Sequence, residues 1–442
     1  MKHLQKFSKP LLLLLSLYQL TTLSTQDLKV ELEPMIPKNF SGLQSYAWAK
    51  MGNEVLLIGG RTDGLHLKQP FASFNKKYNN TDFVVINLVT QEVWKQSVNN
   101  LSAALNEQLQ SSNMEFWQEN NQLILVGGYG YSERKKDHIT HPALTIVRVK
   151  ESIEAVKKGM PLENVVKQQF DERMAITGGH LAKLNDTYLL VGGQRFDGRY
   201  NPHGPDHGPG YKQTYTNEVR MFKLDNTSAE IKIKDFSCIY DTALFHRRDY
   251  NLLPQYDEQG KKIFTIFSGV FRPEVDLPYQ SLVDIRLSGG TLVKGFKQQY
   301  CHYHTAALPI YNKATNTQYT LFFGGIAQFY LDSSGNTQQD NDVPFTKSIS
   351  LIKRANGELS EQVLPESMPG YFGASADFIP SSEDLFDDHE NLKWEKLESS
   401  KKLIGYILGG IDSRAPNVFW PGGPDDSRAS PVIWKVFLSK NK

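Results

Sequence analysis

The sequence is poor in cysteine, in net charge and in long hydrophobic runs, and each shortage excludes a class of protein. Two cysteines in 442 residues are too few for a disulfide-stabilised scaffold. With 49 basic and 48 acidic residues, the formal charge of +1 gives no reason to expect nucleic acid or an anionic membrane surface as a partner. The longest apolar stretch is about ten residues, short of the roughly 20 that span a bilayer. A hydrophobic content of 40% is nevertheless sufficient for a buried core.

The first 24 residues have the order of a secretory signal peptide. Three lysines, Lys2, Lys6 and Lys9, precede the leucine run 11–15, and small residues follow at 22–24. Cleavage there leaves a mature chain of residues 25–442, without a membrane span, in a secreted, periplasmic or cell-surface location. An uncleaved N-terminal anchor is the alternative interpretation.

A short apolar run that ends in a pair of small residues recurs six times along the chain. In the first copy, residues 55–58 lead into Gly59-Gly60. Another short strand lies upstream, across the polar turn 52–54, and two more lie downstream, at 82–87 and 92–95. Asn, Asp and Gly in such turns favour tight hairpins. The six pairs are Gly59-Gly60, Gly127-Gly128, Gly192-Gly193, Ser268-Gly269, Gly324-Gly325 and Gly409-Gly410.

This unit resembles the kelch repeat, and the resemblance covers nearly the whole chain after residue 24. In that family each repeat is a four-stranded blade of a β-propeller, so the resemblance implies an all-β, six-bladed propeller. The stretches 301–304 and 323–326 are similar to those of uncharacterised secreted bacterial kelch proteins. Kelch-like propellers include binding modules and sugar-acting enzymes, whose catalytic motifs do not match here residue by residue. The resemblance therefore implies a fold and not a reaction.

The two ends of the chain can together complete the ring. Residues 28–33 alternate apolar and charged side chains, as a half-exposed strand does. After the sixth pair one further strand follows, at 431–437, so the sixth blade has three strands from the C-terminal part of the chain. We expect the N-terminal strand to be its fourth, because that pairing removes two exposed sheet edges.

Nearly all the long polar insertions follow one of the six pairs. They leave every blade at the same end, and we call that side the elaborated face and the other the plain face. Loops tolerate change while strands hold them in place, so function is expected on the elaborated face. The Gly- and Pro-rich run 201–210 is either a lid over that face or a mobile loop. The charged segment 381–398 interrupts the last hairpin and is expected on the plain face, as a solvated insertion. The insertions after the pairs are 61–80, 129–141, 194–214, 270–280, 326–346 and 411–430.

Histidine and arginine concentrate on this face, in the loops after the pairs, which carry His203 and His207, and in the segments that enter the first strands of blades three, four and five, nearest the axis. An arginine matches a carboxylate or sulfate with two hydrogen bonds, and a neutral histidine can move a proton near neutral pH. Aromatic residues of the insertions, such as Tyr200, Phe271 and Trp420, add surfaces on which a sugar can stack. The alternative is that the arginines bridge blades by pairing with acids such as Asp249 and Asp276. The candidate ligand-binding residues are Arg173, His180, His246, Arg247, Arg248, His302 and His304.

Two metal sites are compatible with the sequence. His302 and His304 are alternate residues and share one face of a strand, and with His246 they could bind zinc. A polar network without metal is the alternative. The loop 332–342 carries oxygen ligands suited to calcium, but it lacks the closing glutamate of an EF-hand. A solvated turn is the alternative there.

The two cysteines, Cys238 and Cys301, admit two interpretations. Both lie near the end of a fourth strand, in consecutive blades. In an exported protein they could form a disulfide. They could equally be two separate buried thiols.

The sequence thus predicts a secreted, monomeric propeller that binds a carbohydrate or a cell-surface protein on its elaborated face. The first alternative is an enzyme of lyase or mutarotase type that acts on an acidic sugar. A protein-interaction scaffold is the third class. The sequence assigns no cofactor beyond the zinc and calcium candidates, and no nucleic-acid partner.

Overall fold

Six small sheets, each built on four antiparallel strands, form the protein. The computed structural model describes residues 27–69, 71–201, 208, 210–227, 230–419 and 422–441, so the predicted signal peptide lies outside the described residues. In sheet order, the strands are Ala47–Met51, Glu54–Ile58, Asp82–Asn87 and Val93–Ser97 in blade one; Ser112–Glu119, Gln122–Ser132, Ala143–Arg148 and Val166–Phe170 in blade two; His180–Leu184, Thr187–Val191, Glu218–Asp225 and Lys232–Tyr240 in blade three; Asn251–Tyr256, Lys262–Phe267, Leu282–Arg286 and Gly289–Leu292 in blade four; Ala307–Asn312, Thr317–Phe323, Ser348–Ala355 and Glu358–Ser367 in blade five; and Ala376–Pro380, Lys402–Gly409, Ile433–Lys440 and Leu28–Met35 in blade six.

The N-terminal strand completes the sixth blade, as the sequence predicts. Leu28–Met35 runs antiparallel to Ile433–Lys440, with Leu28 opposite Lys440 and Met35 opposite Ile433. Leu28 is fully buried, because it packs into the cluster between blades five and six. The pairing joins the two ends of the described chain in one sheet.

Each neighbouring pair of blades encloses its own hydrophobic cluster, and this holds also between the last blade and the first. There Leu57 of blade one packs with Ile379 and Leu408 of blade six. Stacking of sheet upon sheet divides the core into such separate interfaces. The clusters show that the ring of six blades is closed.

The paired small residues allow the blades to approach closely. Gly127 has a φ of +67°, in the left-handed region that favours glycine. A Cβ built on Gly127 meets the Ile176 carbonyl oxygen of the next blade at 2.0 Å. Ser268, which replaces a glycine in the fourth pair, adopts the same left-handed backbone at φ +57°.

Backbone hydrogen bonds link the blades around the axis. At five of the six junctions, the N–H of a residue at or shortly before the start of one first strand donates to the carbonyl of the equivalent residue in the preceding blade. The junction between blades two and three uses side chains in place of this bond. The five bonds are Ser45 to Ser375 at 3.4 Å, Asn113 to Ser45 at 3.0 Å, Asp249 to Gly178 at 2.8 Å, His304 to Asp249 at 2.8 Å and Ser375 to His304 at 3.0 Å.

Several insertions after the small-residue pairs contain strands of their own. The α-helices lie in other connections, and no helix among the described residues is long and apolar enough to cross a membrane. The insertion strands are Asp137–Thr140, Gln194–Gly198 with Tyr211–Tyr215, Phe329–Leu331 with Thr337–Gln339, and Ile411–Ser413 with Ser427–Ala429. The α-helices are Ala103–Leu109, Val149–Lys158 and Thr242–Phe245, and the 3-10 turns are Lys76–Tyr78, Glu163–Val165, Glu172–Met174, Glu383–Leu385 and Trp394–Lys396.

The segment 381–398 is not the solvated insertion that its charge predicts. Its short strand Leu392–Lys393 pairs in parallel with the first strand of blade five, with Ile310 opposite Leu392. Leu392 is fully buried, and the buried His389 donates from Nε2 to the Ile263 carbonyl of blade four at 2.8 Å. The apolar residues between the charges therefore fold the segment onto blades four and five.

The cysteines do not form a disulfide. Both thiols are free, with Cys238 exposed and Cys301 buried. The interpretation as two buried thiols is therefore correct for Cys301 and wrong for Cys238. Cys238 lies on the outer strand Lys232–Tyr240, whose side chains are mostly exposed.

Candidate functional site

Three adjoining cavities follow the axis of the propeller. A mouth cavity of about 630 Å³ opens on the elaborated face, and a central cavity of about 240 Å³ lies beneath it. A plain-face cavity of about 480 Å³ opens at the other end. Arg248, Asp249 and Tyr303 line both the mouth and the central cavity, whereas His180 and His304 line both the central and the plain-face cavity.

Arg248 lies where the mouth cavity meets the central cavity. Its Nε donates to the Tyr215 hydroxyl at 3.1 Å and its Nη1 to Asp249 Oδ2 at 2.8 Å. The guanidinium also lies over the Phe271 ring, 5.2 Å from its centroid. Burial alone lowers the pKa of Arg248, but nearby Tyr215 and Asp249 outweigh burial and hold the pKa above its usual value. The arginine is therefore a fixed positive charge whose direction is set by two partners.

Two histidines face each other across the central cavity. The rings of His180 and His304 are 5.6 Å apart. His180 Nε2 donates to the Tyr250 carbonyl at 2.6 Å, and burial lowers its pKa to about 3, so the ring is neutral. His304 Nε2 lies 3.6 Å from Asp377 Oδ1. The pair therefore offers one neutral imidazole and one imidazole beside a carboxylate.

Glu115 adds a buried carboxyl group to the central cavity. It is 4% exposed, and its Oε1 accepts a hydrogen bond from the Gly179 N–H at 2.8 Å. Burial raises the pKa of Glu115 to about 8, so the group is protonated at neutral pH. A protonated carboxyl can donate a hydrogen bond or a proton to a ligand.

The register of the first two strands brings these groups together. Glu115 pairs with Val126 and His180 pairs with Val191. Asp377 pairs with Leu408. In each case the partner is the residue directly before a small-residue pair, so three blades place a polar side chain at one level of the axis. We did not predict Glu115 and Asp377, although this register relative to the repeat could have identified them.

The aromatic residues of the insertions divide into a buried group and a group that lines the mouth. Tyr129 and Phe196 are 5% and 3% exposed, so neither is available for stacking on a sugar. Their hydrogen bonds and ring contacts support the loops from within, as in the edge-to-face contact between the two rings at 5.5 Å. The predicted Trp420, like the loop histidines His203 and His207, lies outside the described residues. The aromatic residues that line the mouth cavity are Tyr200, Tyr211, Tyr215, Phe271, Tyr303 and Phe419.

A second arginine lines the mouth cavity. Arg272 makes no side-chain hydrogen bond or ion pair with any residue that the structure describes, and its buried Nε has no partner there. His246 lies on the same cavity, stacked on Tyr215 at 3.9 Å, with Nδ1 donating to Asn217 Oδ1 at 2.9 Å. Burial lowers the pKa of His246, which favours the neutral ring. The mouth therefore combines a guanidinium, that of Arg272, which has no partner among the described residues, with the faces of aromatic rings.

No family model matches the chain. No curated protein matches it either. Among solved structures the chain is similar to one described as the structure of YjhT, with 9% identity, a TM-score of 0.49, and coverage of 90% of this chain and 97% of that one. A likeness of this degree carries no information on function.

Four of the seven predicted ligand-binding residues line the cavities. These are His180, His246, Arg248 and His304. Arg173 does not line any of the three cavities, because it is paired with Asp171 and stacked on Phe236. This ion pair lies within one segment of the chain, so it does not join two blades as the alternative interpretation proposes.

Arg247 and His302 are buried and hydrogen-bonded to other protein groups. Arg247 is 1% exposed, donates from Nη1 to the Ser268 and Ser281 carbonyls, and lies over the Tyr279 ring at 4.1 Å. His302 is fully buried: its Nε2 donates to the Gln298 carbonyl at 3.2 Å, and its Nδ1 accepts from the Gln328 N–H at 2.9 Å. Neither side chain lines a cavity.

The structure does not assemble either predicted metal site. Within the described residues, no group of three histidine, cysteine, aspartate or glutamate side chains could hold a metal ion, and both ring nitrogens of His302 already have partners. In the calcium candidate, Asp332 Oδ1 accepts from the N–H groups of Ser334 and Asn336, both at 2.9 Å. That carboxylate closes a hairpin turn, which was the alternative interpretation.

Proposed function

We propose that the protein binds a small carboxylated carbohydrate in the mouth cavity on its elaborated face. The observation that carries the proposal is the position of Arg248 at the floor of that cavity. Two of its nitrogens are held by Tyr215 and Asp249, while Nη2 makes no hydrogen bond with the described residues. An arginine fixed in this way is preorganised to bind a carboxylate without losing further side-chain freedom.

The surroundings of Arg248 support a sugar as the body of the ligand. The cavity volume of about 630 Å³ lies within the range of small-molecule sites. Tyr200, Tyr211 and Phe271 supply ring faces, and the hydroxyls and exposed acids of the rim can bond to sugar hydroxyls. Arg272 supplies a second guanidinium for the carboxylate or for a further acidic group.

The decisive experiment compares two arginine variants. Calorimetric titration with galacturonate, glucuronate and N-acetylneuraminate, and with glucose as a neutral reference, measures the affinity of the wild-type protein and of Arg248→Met. We expect Arg248→Met to bind at least about tenfold more weakly, since a charge-assisted hydrogen bond contributes about 1.5–3 kcal/mol. Arg173→Met is the matched control, because Arg173 also pairs with an aspartate yet lies outside the cavities, and it should bind normally.

Two results would overturn the proposal. One is equal binding by wild type and Arg248→Met. The other is binding of a protein partner by a wild-type protein that takes none of the acidic sugars, which is the outcome expected of an interaction scaffold or a receptor for a cell-surface protein.

Proton-transfer catalysis on the same acidic sugar is a second candidate. The observation that favours it is the combination of protonated Glu115 with His304, which lies beside Asp377, in one small cavity. Lyase activity would give new ultraviolet absorbance from uronate polymers, and mutarotase activity would accelerate anomer exchange in NMR spectra. Both signals should disappear in Glu115→Gln. If the wild-type protein gives neither signal, the catalytic candidate is excluded and the binding proposal remains.

Export to a secreted, periplasmic or cell-surface location is part of the proposal. It is supported by the order of charged, apolar and small residues within 1–24. N-terminal sequencing of the protein recovered from its native host compartment tests it. A protein that starts near residue 25 supports export, and one retaining Met1 in the cytosol contradicts it.

A further inference from the structure

The plain-face cavity is a chamber of different character from the mouth. Part of its wall is apolar and aromatic, formed by Trp48, Phe116, Leu253 and Phe378 on the first strands of four blades, and the rest is polar or charged. The folded segment 381–398 borders it. The chamber holds about 480 Å³ and contains neither Arg248 nor Arg272, so the proposed sugar site does not account for it.

Lys50 lines this chamber and lacks a partner for its charge. The residue is 8% exposed, and its Nζ makes no hydrogen bond or ion pair within the described part of the chain. The Gln118 side chain holds the Lys50 backbone, accepting from its N–H at 2.7 Å and donating to its carbonyl at 2.9 Å. Trp48, two residues earlier on the same strand, lies on the same face and also lines the chamber.

Lys183 provides a comparison, because it is a lysine on an equivalent strand whose ammonium is in an ion pair. It lies on the first strand of blade three, where its ammonium pairs with Glu119 and also lies over the Tyr188 ring at 4.9 Å. Lys183 thus has a carboxylate at ion-pair distance. Among the described residues no carboxylate lies within ion-pair distance of Lys50 Nζ, and an ammonium without such a partner is costly to keep away from bulk water.

Burial lowers the pKa of Lys50, and the charge of nearby Glu383 opposes this change. A lowered pKa increases the share of the neutral amine, which is the nucleophilic form of a lysine. Glu383 and Glu390 line the same chamber. Glu390 is exposed while lining the chamber, so its carboxyl can exchange protons with the solvent.

We propose that Lys50 is a reactive amine that condenses with a small aldehyde or ketone bound in the plain-face cavity, whose aromatic or apolar part packs against Trp48 and Phe116. The amine nitrogen forms a bond to the carbonyl carbon and loses its two protons. The carbonyl oxygen takes them and leaves as water, so the product is an imine and no oxidant or reductant takes part. Glu383 and Glu390 relay the protons.

Reductive trapping with peptide mapping tests the inference on the intact wild-type protein. The protein is treated with substoichiometric benzaldehyde and cyanoborohydride, and mass spectrometry gives the extent of benzylation at each lysine. We expect Lys50 to react at least about tenfold faster than exposed Lys95, because desolvation activates an amine that bulk water would keep protonated. Paired Lys183 should react more slowly than Lys95.

Two further measurements keep the test decisive. In urea, the advantage of Lys50 over Lys95 should vanish; an advantage that persists there would come from local sequence and would overturn the inference. Arg248→Met should trap benzaldehyde at Lys50 as the wild type does, which separates this site from the sugar site. Reaction of Lys50 at the rate of Lys95 or below in the folded protein would also overturn it.

Discussion

The Glu115 carboxyl accepts the Gly179 N–H at 2.8 Å where blade two meets blade three. At this junction Thr177 Oγ1 also donates to the Asn113 carbonyl, at 3.1 Å. The other five junctions use a backbone bond between equivalent residues. A titratable side chain thus takes part in joining two blades, and the same side chain faces the central cavity.

Glu115→Gln should flatten the pH dependence of stability. The pKa of Glu115 is about 8 in the folded protein, above its usual 4.5, so the folded state holds a proton that the unfolded state releases between these values. The wild type therefore loses stability as the pH rises from about 4.5 to 8. From pH 5 to a pH above 8, the free energy of unfolding should fall in both proteins. The fall should be about 1–3 kcal/mol smaller in Glu115→Gln than in the wild type.

Urea unfolding of both proteins at pH 5 and pH 8.5 measures this difference. Glu361, whose pKa burial also raises to about 8, is present in both proteins and cancels in the comparison. Identical pH slopes for the two proteins would show that Glu115 is ionised in the folded state.

Gly127→Ala should destabilise the protein far more than Gly52→Ala. Both glycines have left-handed backbones, at φ +67° and +59°, so alanine costs about 1 kcal/mol of backbone strain at either site. The added Cβ has open space at Gly52 but lies 2.0 Å from the Ile176 carbonyl oxygen at Gly127. We expect a total loss of about 3 kcal/mol or more at Gly127, from thermal or urea unfolding. Equal losses would mean that the blades separate easily to accept a methyl group.

Leu28→Ala should weaken the whole ring and not merely loosen one end. Leu28 is fully buried between blades five and six, so its truncation should cost about 2–5 kcal/mol. Lys29→Ala is the matched control, since the neighbouring exposed lysine pairs with Glu31 on the surface and its loss should change stability by less than about 0.5 kcal/mol. A single shifted unfolding transition supports closure by this strand, whereas local fraying with an unchanged main transition contradicts it.

The repeat predicts the blade number, the closing strand and the elaborated face because each depends on spacing along the chain. The small-residue pairs mark where the second strand ends in five of the six sheets, whereas in blade two the strand continues past Gly127-Gly128 to Ser132. The repeat does not show which of two adjacent residues faces the axis. Arg247 and Arg248 are neighbours of the same type, yet one is sealed against Tyr279 and the other lines two cavities.

The same reason explains why part of the site escaped prediction. Residue type alone makes arginine and histidine candidates for a site. For Glu115 and Asp377 the residue type is not distinctive, and only their strand register places them at the cavity. Their pairing with Val126 and Leu408, each directly before a pair, gives the depth of the side chain along the axis. The folding of 381–398 against blade five was likewise hidden, because its charges outnumber the few apolar residues that anchor it.

The ladder that closes the ring has a mechanical consequence. Because Leu28 lies opposite Lys440, the two ends of the described chain leave the sixth blade at the same end of this pair of strands. A force that pulls these ends apart loads the hydrogen bonds of this ladder one after another, as in opening a zipper, and never all at once in shear. The propeller should therefore yield to tension at its termini under a small load, however well it resists heat.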